Sequence, residues 1–307
     1  MGRHIPLSLF SFGIHRKILT NKNKRNIIEV TQTERIPAMK IKNRLWKDGK
    51  KCCLTFSFDD GRKHDYRLVD IFNKNGMKGT FNLNSGFMRD NGNHVMTKDV
   101  ATLYTGHEVA VHSHTHPTLT ELPSTIIIEE IMRDKQLLEQ WWGHTVRGMA
   151  YPNGPFDQRI ANLCRDCGMN YARTGASTSK FRLPEDFMFF HPTCNEFTEP
   201  DTLMKLWEDF VNIPVFRLNM PLFYMYGHSY NFEDWNMWDK IETFCKNAGG
   251  HPDVWYATNI EVFDYVRAQR MVDYAIDKNM AYNPSAISVW IDVDGKPIEL
   301  KPGENKF

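Results

Sequence analysis

From residue 50 onward the chain alternates short apolar runs with amphipathic stretches at regular spacing. CCLTFSF (52–58) reads as a strand, and DYRLVDIFNKNG (65–76) as a helix closed by Gly76. KGTFNLN (78–84) is a strand, TKDVATLYTG (97–106) a short helix, and HEVAVHSH (107–114) a strand. PSTIIIEEIMRDKQLLEQWWG (123–143) is a long amphipathic helix, and VRGMAYP (146–152) returns as a strand. A helix from Asp157 to Cys167 follows, and then the strand MNYART (169–174). Later, LFYMYGHSY (222–230) and VWYATN (254–259) are strands flanking the helical WDKIETFCKNAG (238–249). ISVWIDVDGKPIEL (287–300) alternates around Asp294-Gly295, a hairpin signal.

Strand–helix alternation at this spacing implies parallel strands joined by right-handed crossovers, hence an α/β sheet or barrel. Residues 1–40, polar and basic in their second half, show no clear periodicity and read as an N-terminal extension. Residues 41–307 read as one catalytic domain ending in a C-terminal β-hairpin, without repeats or low-complexity segments.

The composition narrows the function. The 307 residues are 41% hydrophobic and 24% charged, with a net charge of +1, which argues against a dedicated nucleic-acid or membrane-surface binder. No run approaches the roughly 18–20 apolar residues of a membrane span. In MGRHIPLSLFSFGIHRK the apolar patch meets His15, Arg16 and Lys17 too soon for a signal peptide, with no small-residue cleavage site. The six cysteines do not read as a secreted disulfide framework in so long a chain, so a cytoplasmic, reducing compartment is expected, with the cell envelope or exterior as alternative. Cys164 and Cys167 form a C-x-x-C, but Ile160, Leu163, Cys164 and Cys167 fall at i, i+3, i+4 and i+7, so both cysteines belong to a buried stripe.

The chemistry lies at the strand ends. Asp59 and Asp60 close one strand, His112 and His116 follow another, and His228 ends a third. Parallel α/β folds gather the C-terminal strand ends on one rim, where sites are built. A tight turn, favoured by Ser113, Thr115 and Pro117, would let His112 and His116 reach one ion. Two imidazoles and a carboxylate are a common zinc set with room for water, whose pKa falls from near 15.7 to about 7. Asp60 is the natural oxygen ligand, leaving Asp59 to take the proton. His114 alternates with the two ligands and faces away. Zinc comes first, while cobalt, nickel or manganese would fit the same donors.

TFSFDDG, HSHTHP, AYPNG and YGHSY, in that order, resemble the polysaccharide deacetylase (NodB homology) family. The resemblance implies a distorted (β/α) barrel and a metal-dependent carbohydrate esterase that removes N- or O-acetyl groups from an acetylated poly- or oligosaccharide. It implies Asp59 as catalytic base, Asp60, His112 and His116 as metal ligands, and His228 as general acid. Backbone N–H groups around Pro152, Asn153 and Gly154 would complete an oxyanion hole, since Gly154 lets the chain pass close to substrate, and a plain Pro-Gly turn after a strand is the equal alternative. Tyr151, beside the same turn, is the candidate to line the acetyl pocket.

The sequence departs from the family pattern at two places. An arginine that usually precedes the YP-x-G stretch and orients the base is replaced by Ala150, leaving Arg147 or Arg173 to serve. The aspartate–tryptophan motif that tunes the acid histidine is not evident, since EDW (233–235) follows His228. These gaps keep open an amidohydrolase of a non-sugar amide or cyclic imide, and a catalytically dead carbohydrate-binding protein. Trp235 and Trp238 are candidates for a sugar platform.

Overall fold

The computed structural model describes residues 41–90, 92–214, 217–276 and 279–307, so the 1–40 extension lies outside the described residues. In chain order the elements begin with β1 (Ile41–Leu45), β2 (Cys52–Asp59), α1 (Asp65–Lys74), β3 (Gly79–Leu83), α2 (Val100–Leu103) and β4 (Glu108–Val111). There follow α3 (Ser124–Trp142), β5 (Gly148–Ala150), α4 (Gln158–Asp166), β6 (Tyr171–Arg173), β7 (Cys194–Asn195) and α5 (Pro200–Val211). Then come β8 (Leu222–His228), α6 (Ser229–Asp234), α7 (Trp238–Ala248), β9 (Val254–Tyr256) and α8 (Asn259–Arg270). The chain ends with β10 (Asp273–Tyr274), β11 (Met280–Asn283), β12 (Val289–Val293), β13 (Lys296–Leu300) and β14 (Gly303–Lys306).

The main sheet is parallel throughout, in the order β6-β5-β4-β3-β2-β8-β7, with β9 pairing the first half of β2. A parallel bridge between Arg173 and Phe190 ties β6 to the segment that leads into β7. The sheet thus curls into the expected distorted (β/α) barrel. Two three-stranded antiparallel sheets complete the fold, β1-β12-β13 and β10-β11-β14. The Asp294-Gly295 hairpin joins β12 to β13, and β14 follows it to pair with β11.

Strand β2 shows why the sequence makes a barrel. All eight of its residues are buried, because neighbours flank both of its edges and both faces are covered. Side chains alternate between faces. Leu54, Phe56 and Phe58 pack outward, where the phenylalanine rings meet Phe72 of α1, Phe244 of α7 and Phe232 of α6. Thr55, Ser57 and Asp59 turn the other way, and their polar atoms are met inside by Asn259 and Asn82. A buried strand with one polar face has that face on a barrel interior, and Asp59 is where the face reaches the rim.

Several elements differ from expectation for local reasons. The strand expected to Tyr230 ends at His228, and α6 begins at once. Helix α8 starts at Asn259 behind a Thr258/Glu261 capping box. Its buried face includes Asn259 and Gln269, which break the apolar stripe. Cys164 and Cys167 are buried in the core as expected, with Asp157 accepting from the Ile160 N–H, and burial pushes the Cys164 thiol up to about 12. No helix of the described residues is long and apolar enough to cross a membrane.

Gly148 is a test of the interior packing. A Cβ there would stand 2.1 Å from the Tyr171 ring, whose hydroxyl donates to Glu108 at 2.9 Å inside the barrel. Gly148→Ala should therefore destabilise the fold by about 1–3 kcal/mol or more through overpacking. The urea midpoint would fall at unchanged slope, and an unshifted midpoint would contradict the packing described.

Candidate active site

Asp59 ends β2 directly beside His228 of β8 and beside Asn82 of β3 in the parallel register. Its Oδ1 accepts from Asn82 Nδ2 at 2.8 Å, and its Oδ2 accepts from the Arg173 guanidinium. Burial alone would push this carboxyl up, but Arg173, with His112 and His228, outweighs it and holds Asp59 down at about 2. The Arg173 side chain is itself buried, with its guanidinium 4.6 Å over the Tyr226 ring.

Asp60 adopts φ 77° and Gly61 φ 57°, so the chain turns sharply after the strand. A second turn follows β4, where Ser113 and His116 both take positive φ, 64° and 56°. These turns bring His112 Nε2 and His116 Nε2 to 3.2 Å from each other, and to 3.8 and 3.7 Å from Asp60 Oδ1. Two tetrahedral zinc-bound nitrogens stand about 3.3–3.4 Å apart at ordinary bond lengths, so the donor set fits one small cation.

The surroundings favour the ligand form of the first imidazole. His112 Nδ1–H donates to the Ala150 carbonyl at 2.9 Å, which leaves Nε2 with its lone pair facing Asp60. Burial also lowers its affinity for a second proton. The loop is pinned by Asp134 of α3, whose carboxylate accepts from the backbone N–H of both Ser85 and His112, at 2.7 and 2.9 Å. Asn84 holds the His112 carbonyl from the other side at 2.5 Å. His114 turns to Ser85 Oγ at 2.8 Å and stays out of the donor set.

His228 faces Asp59 across the rim, its Nε2 3.9 Å from Asp59 Oδ2. Its Nδ1 and its backbone N–H both meet Glu196 Oε1, at 2.9 and 3.1 Å. Asn231 Nδ2 donates to the same oxygen at 2.8 Å. Burial works against a charged His228, yet Glu196 and Asp59 outweigh it and raise the imidazole above its usual value. Glu196 is the residue that sequence reasoning missed. It lies 32 positions before His228, with no local signal in the sequence, and Gly227 makes room for it. A Cβ there would stand 2.7 Å from the Glu196 carboxyl, so only glycine leaves room for that contact.

A cavity of about 700 Å³ opens over these groups, lined among others by Tyr151, Asn153, Gly154, Phe156, Tyr226 and Tyr230. Tyr151 lies stacked on Phe156 and donates to the Met188 carbonyl at 3.0 Å. The Asn153 amide is turned to the His116 carbonyl and Thr118 Oγ1. Tyr151 N–H is taken by the Arg173 carbonyl at 3.0 Å, whereas the Asn153 and Gly154 N–H groups meet no acceptor among the described residues.

Of the two arginines left open by Ala150, Arg173 is at Asp59 and Arg147 is not. Arg147 precedes β5, at the end of the barrel opposite the rim. It pairs in a two-pronged contact with Asp264 of α8 at 3.0 and 2.7 Å, which removes it from the substrate-binding set. Trp238 is likewise buried, donating to Glu233 and covered by Arg67, while Trp235 is exposed beside Phe197.

The chain is similar to known proteins in sequence and in fold. The polysaccharide deacetylase family model matches residues 47–172. The uncharacterized protein YlxY of Bacillus subtilis strain 168 is 25% identical over 124 residues, covering 40% of this chain and 38% of that protein's length. A solved Mycobacterium smegmatis structure that bears a polysaccharide deacetylase name aligns with a TM-score of 0.56 at 17% identity, covering 76% of this chain and 96% of that one. That likeness establishes the fold. A CE4 family pseudoenzyme from Bacillus anthracis aligns with a TM-score of 0.46 at 20% identity, over 73% of this chain and 66% of that one.

The donor set generates a direct expectation. Protein purified with zinc in the medium should hold about one divalent ion per chain. His112→Ala and His116→Ala should lose it, while Glu196→Gln should keep it. Elemental analysis after gel filtration decides, and full metal retention in both histidine variants would contradict the assignment.

Proposed function

We propose, from the match of residues 47–172 to the polysaccharide deacetylase family model, that this chain is a metal-dependent hydrolase that removes acetyl groups from an acetylated poly- or oligosaccharide. One observation carries the reading: Asp59, paired with Arg173, stands between the Asp60, His112, His116 donor set and His228. A divalent ion held by Asp60, His112 and His116 would supply Lewis-acid charge and acidify water at neutral pH.

The chain's own groups divide the remaining work. Asp59, kept ionised by Arg173, takes a proton from the attacking water as general base. Asn153 and Gly154 line the cavity, and their unengaged N–H groups would receive the oxygen that gains charge. His228, held by Glu196 with Nε2 toward Asp59, gives its proton to the departing amine or alkoxide. Tyr151 and Phe156 form the apolar wall on which the acetyl methyl would rest.

Two features of the site bear on the alternatives. Arg173 supplies the cation whose absence at Ala150 opened the non-sugar amide reading. A binding protein with a dead site has no use for a base and an acid that are both oriented and both shifted in the useful direction.

Asp59→Asn should lower acetate release from N-acetylglucosamine oligomers by about 10²- to 10⁴-fold while metal content stays at the parental level. Parental turnover in this variant would remove Asp59 from the role of base.

The pH dependence follows from Glu196. The acid form of His228 is the active one, so the rate is lost as pH rises through its pKa. Glu196 favours the charged imidazole, so Glu196→Gln should move the alkaline limb of kcat/KM to lower pH. An unmoved limb would mean that His228 is not the proton donor.

A further inference from the structure

Arg62 lies two residues beyond Asp60, beside Tyr230 of the cavity lining. Gly61 makes the turn, and a Cβ on it would stand 2.8 Å from Leu83, so the backbone passes here with no slack. The next residues are tied down by Val95 N–H to the Gly61 carbonyl at 2.9 Å and Lys63 N–H to the Asn93 carbonyl at 3.1 Å. The Arg62 guanidinium carbon sits 5.3 Å from the centroid of Tyr230, a residue that lines the cavity.

The guanidinium is held without being neutralised. One of its nitrogens is 3.3 Å from His94 Nε2. Burial and Arg62 itself hold His94 below its usual value, so the ring is neutral and Nε2 accepts. Its Nδ1 then carries the hydrogen, and it is buried with no partner. Among the described residues no carboxylate lies at ion-pair distance from Arg62, and its other N–H donors meet no acceptor. Arg67, Arg147, Arg165 and Arg173 are each paired with a carboxylate, and Arg89, Arg133, Arg159 and Arg270, which are not, have acceptors elsewhere and no ring of the cavity lining beneath them. A half-buried guanidinium, stacked on an aromatic wall of the cavity with its donors unspent, is built to receive an oxyanion.

Resting on the deacetylase reading above, we propose that the substrate is an acidic glycan, whose carboxylate or phosphate beside the acetylated sugar is bound by Arg62 at the cavity mouth. A neutral glycan would leave this cation facing no partner.

The test compares three N-acetylated oligomers of equal length: a neutral N-acetylglucosamine chain, one alternating with glucuronate, and one bearing phosphate. The metal-loaded parent should show the highest kcat/KM on one of the two anionic chains, and which one identifies the group. Raising the salt concentration should narrow that preference. Arg62→Gln should lose about 10- to 100-fold more on the anionic chain than on the neutral one, mainly in KM. Arg62→Lys, which keeps charge without the planar fork, should retain an intermediate share. Equal losses on both chains would show that Arg62 only props Tyr230, and a parental preference for the neutral chain would overturn the proposal outright. If the parent releases acetate from none of them, the deacetylase reading fails, and calorimetric binding of the same chains decides this one. Tenfold weaker binding of the anionic chain to Arg62→Gln supports it, and equal binding overturns it.

Discussion

The buried ion pair between Arg173 and Asp59 is the constraint on which the site depends. Both side chains are almost wholly shielded from water, so each charge is tolerable only because the other is there. Removing one partner of such a pair costs about 3–5 kcal/mol, because the survivor is left buried and uncompensated. The pair joins the ends of β2 and β6, which the sheet order sets on opposite sides of the barrel mouth. Tyr226 of β8 covers the guanidinium, and Asn82 of β3 takes the second carboxylate oxygen. Four strand ends are thereby fixed around one ionised carboxylate.

The same residue type behaves oppositely elsewhere in the barrel. Asp65, Glu108 and Asp134 are fully buried, and burial pushes each of them up to about 7. None has a cation against it. Asp65 accepts from Ser229 and Tyr104 hydroxyls, Glu108 from Thr80, Tyr171 and the Ile260 N–H, and Asp134 from two backbone N–H groups. These three hold loops and strand ends in place through hydrogen bonds. Asp59 differs because guanidinium and imidazole groups face it, and that contrast separates a structural carboxylate from one fit for proton transfer.

Much of this was legible in the sequence, because the barrel strands are short and apolar and the helices between them carry clean stripes. The Asp59–Asp60 pair and the two histidines announced themselves through adjacency and through a four-residue interval. Glu196 did not, because its link to His228 exists only where β7 lies against β8, and no local periodicity marks a two-residue strand. The choice between Arg147 and Arg173 was likewise undecidable locally. One arginine precedes its strand and the other ends its strand, so they emerge at opposite ends of the barrel. Helix α5 carried its signals, Pro200 at the first turn and Leu203, Trp207 and Phe210 on one face, yet it lies outside the run of elements that alternate clearly. The polar face of β2 reads as a solvent face until the barrel closes over it.

The most direct measurement of the central claim is an anomalous difference map from crystals soaked with zinc and acetate, collected at the zinc edge. A single peak is expected about 2.0–2.2 Å from His112 Nε2, His116 Nε2 and an Asp60 oxygen, with Asp59 uncoordinated and still paired with Arg173. A peak that recruits Asp59 as a ligand, or no peak between the two histidines, would contradict the division of labour between the two aspartates.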